Sequence, residues 1–185
     1  MELVRPSVEY LSSYVDGLKK IVPGEEPFFT YFLPDLVKIA EDPDRYLSLQ
    51  EDPGGIGDPV ELPDGTMVPR LPSITRWMWD GEISGRIQLR WSPGSTDLPS
   101  YCLGHVGYAV FPWKRRLGYA NKALKEILPF AQDLEMEFVE IVTDVGNEIS
   151  QKVVAKSGGV FHERFTKPAT SEGGEAFRYR IYLNK

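Results

Sequence analysis

The chain of 185 residues has one cysteine, Cys102, and two histidines, His105 and His162. A single cysteine excludes an internal disulfide and suits a reducing compartment. No Cys/His cluster stands at metal-ligand spacing, so no metal is expected. Long hydrophobic runs are missing as well. Nothing approaches the ~20 apolar residues that cross a bilayer. The start, MELVRPSVEY, lacks an apolar stretch of signal length. A cytoplasmic protein with no membrane partner is the expectation. An excess of positive charge is also absent. The net charge of −6 argues against a nucleic-acid surface built on bulk charge and leans toward a cationic or amine partner. There are no internal repeats, and neither a G-x-x-x-x-G-K-[ST] nor a G-x-G-x-x-G motif occurs.

What is there is the composition of an ordinary soluble globule, 42% apolar and 26% charged, in a length that suits one domain over 1–185. LVRP reads as a short first strand ended by Pro6. Ser7 then caps a helix whose apolar positions Val8, Leu11, Tyr14, Val15 and Leu18 follow helical spacing. A second helix is expected after Leu33, with Pro34 as its first residue. The stretch from Glu51 to Pro72 is crowded with Pro and Gly, and PDGT marks a turn. So long an irregular connection reads either as a surface excursion or as a flap over a cleft, whose removal would leave stability unaltered. From Ile74 the pattern sharpens. SITRWMWD and RIQLRW alternate around a tight turn in which Glu82 reads as solvated, and LGHVGYAVF is a third strand. Gly118 to Leu134 has helical spacing, with Pro129 expected to kink or end it. EFVEIVT is a buried strand, and NEISQKVVAKSGG is a helix capped by Asn147 and stopped by Gly158 and Gly159. VFHERF and EAFRYRIYL close the chain as strands. The fold class is α/β (α+β): a mixed, mostly antiparallel central sheet of about seven strands with helices on both faces. Residues 1–72 form its N-terminal strand, helices and long loop, and 73–185 its core.

The stretch KRRLGYA, Lys114 to Ala120, sits between a strand and a helix. A helix start carries partial positive charge, so three cations there are unfavourable unless an anion arrives. The first N–H groups of a helix have no internal partner. Gly118 lets the backbone come close, Ala120 keeps the first turn slim, and Arg115 and Arg116 supply forked donors. These features point to a phosphate or diphosphate. A solvated basic turn is the plain alternative.

Arg115-x-x-Gly118-x-Ala120 resembles the Q/R-x-x-G-x-G/A motif of the GNAT acetyl-CoA-dependent N-acetyltransferases, including the apolar strand ended by a proline before it. The helix that starts at Asn147 and Ser150 is similar to that family's second signature, and the likeness runs from about Ile74 to Leu183. The nearest likeness is to uncharacterised acetyltransferases and the ribosomal-protein alanine acetyltransferase branch. The resemblance implies a GNAT-like fold and transfer of an acetyl group from acetyl-CoA (coenzyme A) to a primary amine by direct attack. It implies that main-chain groups of Tyr108, Ala109 and Val110 pair with the pantetheine arm, where two parallel strands splay apart. Arg115, Arg116, Leu117, Gly118, Tyr119 and Ala120 would hold the diphosphate, and Asn147 would contact the arm near the thioester.

Direct transfer needs a neutral amine, an oxyanion donor and a proton for the leaving thiolate. By the likeness, a main-chain N–H near Val110 serves the oxyanion. Many members carry a tyrosine in the second signature helix as the acid; here that place is Val154, which has no proton to give. Ser150 resembles the serine that assists the thiolate in the alanine acetyltransferase branch. It is the first catalytic candidate, with Tyr108 and Tyr119 as other phenols close by. His105 is the candidate base, since histidine titrates near neutrality. Water-mediated deprotonation is the alternative. Val106, Tyr108 and Val110 share one side of their strand, and His105, Gly107 and Ala109 the other; sequence does not say which side meets the acceptor. A peptide N-terminus, a lysine, an amino acid, a polyamine or a drug would each fit. A rival reading is an acyl-CoA-binding domain with lost or regulatory activity. A domain that meets phosphate on a nucleic acid is disfavoured by the acidic charge. Exposed apolar strand edges suit a homodimer.

Overall fold

The computed structural model of the chain describes residues 1–21, 28–62, 64–168 and 173–183. In order, the elements are β1 (Glu2–Val4), α1 (Val8–Lys19), α2 (Phe28–Glu41), α3 (Pro43–Ser48), β2 (Glu51–Asp52), β3 (Val60–Glu61), β4 (Met67–Val68), β5 (Ser73–Trp79), β6 (Ile83–Arg90) and β7 (Val106–Val110). A short 3₁₀ turn, Pro112–Lys114, leads to α4 (Tyr119–Asp133), β8 (Phe138–Asp144), α5 (Glu148–Lys156), β9 (Val160–Thr166) and β10 (Glu175–Tyr182). This is the mixed α/β architecture expected. Among the described residues no helix is long and apolar enough to cross a membrane.

The longer strands do not form one continuous sheet. β1, β5, β6 and β7 pair antiparallel in that order, with β2 added beside β5. β8, β10 and β9 make a second antiparallel sheet. β3 and β4 pair antiparallel as a small hairpin. Strand alternation divides the side chains between two cores. Ile74, Met78, Ile87, Leu89, Val106 and Val110 pack with Leu124, Ile127 and Ala131 of α4, with Val139 and Ile141 of β8, and with Val154 of α5. Trp77, Ala109 and Phe111 pack on the other face with Tyr14 and Leu18 of α1, Phe32 and Ile39 of α2, and Tyr46 of α3.

One proline expectation is corrected. α2 starts at Phe28 and contains Pro34 rather than starting at it. α4 runs through Pro129 to Asp133, close to the span that its helical spacing gives, so the proline does not end it. Each proline removes one backbone bond, but α4 buries Leu124, Ile127 and Ala131 completely, on both sides of Pro129. Tertiary burial of an apolar stripe outweighs that single loss. Ser7 stands at the N-cap of α1 in extended backbone, yet its side chain makes no cap bond.

The Pro/Gly-rich stretch is anchored to the sheet edge. Asp52 is buried and accepts from the N–H groups of Ile56 and Gly57 at 3.0 and 2.9 Å. The N–H of Thr75 donates to Gln50 O at 2.7 Å. The hydroxyl of Tyr101 donates to Pro69 O at 3.0 Å. A buried carboxylate with two donors ties the start of this segment to the sheet edge.

Gly85 sets how closely β6 and β7 approach. Its φ is +154°, and a Cβ there would stand 2.2 Å from the carbonyl oxygen of Ala109. Gly85→Ala is therefore expected to push β7 away and lower unfolding free energy by ~2–3 kcal/mol. Urea denaturation checks this; a loss below ~0.5 kcal/mol would mean the two strands do not depend on that contact.

Candidate active site

β7 and β8 lie side by side but pair with different partners, β6 and β10. They are joined at one place. The N–H of His105, just before β7, donates to Glu140 O at 2.8 Å. The N–H of Glu140 donates back to His105 Nδ1 at 2.9 Å. Beyond this joint, among the described residues, no backbone bond crosses from β7 to β8. Tyr108, Ala109 and Val110 therefore border an opening whose backbone groups on that side lack a ladder.

His105 is fully buried, and its Nε2 donates to Thr96 O at 3.0 Å. Both ring nitrogens are thus held by main chain. That pattern requires a neutral ring with its proton on Nε2, because a proton on Nδ1 would face the Glu140 N–H. Burial lowers its pKa below the ordinary value, against the opposing Glu140 charge. This geometry gives His105 a structural role at the joint. It offers no free nitrogen to an amine, in contrast to the catalytic base expected.

Two helix starts flank the opening. Asn147 caps α5, its Oδ1 accepting from the N–H of Ser150 at 3.0 Å. Ser150 is half-buried, and its Oγ lies 2.8 Å from the hydroxyl of Tyr108, which crosses from β7 to α5. Burial raises the Tyr108 pKa, partly offset by Ser150, so the phenol keeps its proton. Sequence reading named Tyr108 for its main chain first; the structure brings its phenol to Ser150. Val154, one turn on, is completely buried in the core. Asn121 of α4 donates to Val153 O at 2.8 Å and so locks α4 to α5.

The second start is that of α4. Gly118 is its N-cap in left-handed conformation, φ 79°, with no side-chain cap and no acidic residue in the first turn. Arg116 also takes positive φ, 66°, an uncommon conformation for a side-chain-bearing residue. Arg115, Arg116, Leu117 and Gly118 are exposed, and Tyr119 and Ala120 are half-buried. The N–H groups of this turn and the positive end of a fifteen-residue helix make a site for an anion.

Lys114 is not part of that offer. Its Nζ donates to both oxygens of Asp80 at 3.0 and 2.9 Å and pairs with Glu82 at 2.9 Å. Tyr119, the first residue of α4, donates its hydroxyl to Asp80 at 2.6 Å. Burial alone would raise the Asp80 pKa, but the bonds from Tyr119, Lys114 and Ser84 hold it at about 2. The β5–β6 turn thus braces the turn before α4. Glu82 is ion-paired rather than merely solvated, with Lys20 as a second partner at 3.4 Å. Nothing in the spacing of Asp80 and Lys114 signals this clamp, because a long antiparallel hairpin has to fold before they meet.

Residues 70–160 match the family model of the acetyltransferase (GNAT) domain. The match covers just under half of the chain and supports the class of an acyltransferase for this segment. Solved structures agree on the fold. A candidate ribosomal-protein-serine acetyltransferase from Vibrio cholerae aligns over 98% of this chain and 92% of its own, at 12% identity and a TM-score of 0.61. The microcin C7 self-immunity acetyltransferase MccE, solved with acetyl-CoA and AMP, aligns over 98% and 91%, at 9% identity and a TM-score of 0.59. An acetyltransferase from Agrobacterium tumefaciens str. C58 aligns over 98% and 90%, at 15% identity and a TM-score of 0.52. No curated protein matches the chain by sequence.

The joint makes a pH prediction. His105 has a folded pKa below its unfolded value of 6.5, so its contribution to stability is complete above pH 6.5 and is lost as pH falls through the folded pKa. His105→Asn should be less stable at pH 7.5 and should show a shallower loss of stability below pH 6.5 than the parent. Denaturant midpoints across pH 5–8 test it; parallel curves would remove His105 from the linkage.

Proposed function

We propose that the chain is an N-acetyltransferase that moves an acetyl group from acetyl-CoA to a primary amine by direct attack, with 1–185 as a single domain. One observation carries the reading: an unpaired opening between β7 and β8 leads from the uncapped start of α4 to a serine–tyrosine pair at the start of α5. The bound acetyl-CoA in the MccE structure and the alignments over 98% of this chain support it. The sole cysteine, Cys102, is free and fits a cytosolic setting.

In this reading the exposed backbone edge of Tyr108, Ala109 and Val110 receives the pantetheine amides as an added strand. Main chain from Arg115 to Ala120, with the Arg115 and Arg116 side chains, receives the diphosphate. Asn147 caps α5 and presents its remaining amide N–H to the arm. Acetyl-CoA supplies the activated acyl group as co-substrate. A main-chain N–H near Val110 meets the developing oxyanion. Ser150 Oγ hands a proton to the departing sulfur, and Tyr108 replaces that proton from behind. The phenol then recovers a proton from solvent, while the acylated nitrogen gives its own up to water. A tyrosine is thus supplied from β7 where the second signature helix has Val154.

Ser150→Ala is expected to lower kcat roughly a hundredfold with little change in the KM for acetyl-CoA, and Tyr108→Phe roughly tenfold. The double variant should be no slower than Ser150→Ala, since the two act as one unit. Thiol release with a panel of amines measures this, and unchanged turnover in Ser150→Ala would take Ser150 out of the mechanism. Gly118→Asp should abolish calorimetric binding of acetyl-CoA while the circular dichroism spectrum persists; normal affinity would defeat the diphosphate assignment. Binding without thiol release above background, for every amine offered, would instead favour an acyl-CoA-binding domain.

A further inference from the structure

The amine has to reach the opening from the face that α1 and α2 cover, because α4, α5 and their core fill the other. Residues 86, 88 and 90 of β6 share that face with His105, Gly107 and Ala109, and the face continues across Glu140 of β8 to Arg178 and Arg180 of β10. Most of its charge is internally matched. Arg86 pairs with the buried Asp35, which also accepts from the hydroxyls of Tyr14 and Tyr46. Arg178 and Arg180 pair with Glu140, at 3.3 and 2.9 Å, and Arg178 also reaches Glu163 at 3.4 Å. Arg90 has no carboxylate among the described residues. Its Nε donates to Gly104 O at 3.1 Å, which holds the guanidinium in place. Its Nη2 lies over Gly107, where a Cβ would come within 3.0 Å.

We infer that Arg90 receives a carboxylate of the acceptor, so that the acceptor is an acidic amine rather than a polyamine or other cation. This rests on the acetyl-transfer reading above and names its substrate class. A planar fork anchored at Nε presents its Nη donors to a carboxylate with little ordering left to do. A half-buried guanidinium without a counter-ion also gains more from an incoming anion than an exposed one does. The spacing defines the acceptor further. Gly107 and Ala109 are two residues apart on β7, about 7 Å at the rise of a strand. An amine that attacks beside Ala109 and Val110 therefore places its carboxylate about 7 Å away. That is too far for the α-carboxylate of a free amino acid. It suits an acidic side chain close behind a peptide N-terminus. The Arg90 charge is felt by the buried His105 ring, whose pKa it lowers together with burial and Arg178, so His105 can report an anion there.

The test uses the full chain and two tripeptide amides that share a free N-terminal serine and differ only in aspartate or asparagine at the second position. Acetyl-CoA binding is measured first by calorimetry; its absence would sink the function proposed above and leave the anion question to the second readout. With acetyl-CoA bound, the aspartate peptide should exceed the asparagine peptide at least tenfold in kcat/KM. Arg90→Gln should bring that ratio close to one with acetyl-CoA affinity unchanged. The second readout is the ring resonances of His105, one of two histidines in the chain. They should shift saturably on titration with the aspartate peptide, not with the asparagine peptide, and not in Arg90→Gln. Equal or reversed preference, a preference that survives Arg90→Gln, or a silent His105 would each overturn the inference.

Discussion

Two antiparallel sheets of this protein touch through the main chain of His105 and Glu140. The exchange of one backbone and one side-chain bond fixes the strands at that end only. From there β7 follows β6 and β8 follows β10, so the two must part. An unmet edge in the middle of a folded protein is costly unless something completes it. The opening, the floor that Tyr108 makes by crossing to Ser150, and the convergence of two helix starts all follow from that single-ended joint. It also explains why the histidine is neutral and buried: a charged ring would present a proton to the amide it accepts from.

The electrostatics work locally and not in bulk. The chain is acidic overall, yet the turn before α4 and the face beside the opening are built of arginines. Of the three cations in the turn, Lys114 is consumed by Asp80 and Glu82, which makes it a brace and leaves the exposed arginines at the helix start. Arg86, Arg178 and Arg180 are matched in the same manner by Asp35, Glu140 and Glu163. Net charge sets solubility and long-range attraction; which charge is left over at a site depends on pairs formed across sheets and helices.

The order of elements from Ile74 onward was legible because each is short and its periodicity is clean. Ile87 and Leu89 alternate on β6, and Leu124, Ile127 and Ala131 recur at helical spacing on α4. Asn147 was legible as a cap, and the Arg115-to-Ala120 stretch as a glycine-bearing turn into a helix, since both depend on neighbours within a few residues. Pro34 misled because local propensity places a proline in the first turn and does not see the buried residues of α2, Phe32 and Ile39, on both sides of it. His105 looked like a base because its chemistry allows it. Its partners Glu140 and Thr96 lie in other segments of the chain, and no local pattern announces them.

Sequence by itself determined the strands, the helices, the glycine-bearing turn before α4 and the family likeness, all of which rest on interactions between residues near each other in the chain. The tertiary structure alone decided that Tyr108 stands behind Ser150, that Asp80 claims Lys114, that His105 is a joint, and that Arg90 has no carboxylate partner among the described residues. These are pairings over tens of residues, set by which strands lie side by side and which faces the two cores fill. Hydrogen bonds and ion pairs act over a few ångströms, so only the folded chain says which groups are close enough to use them.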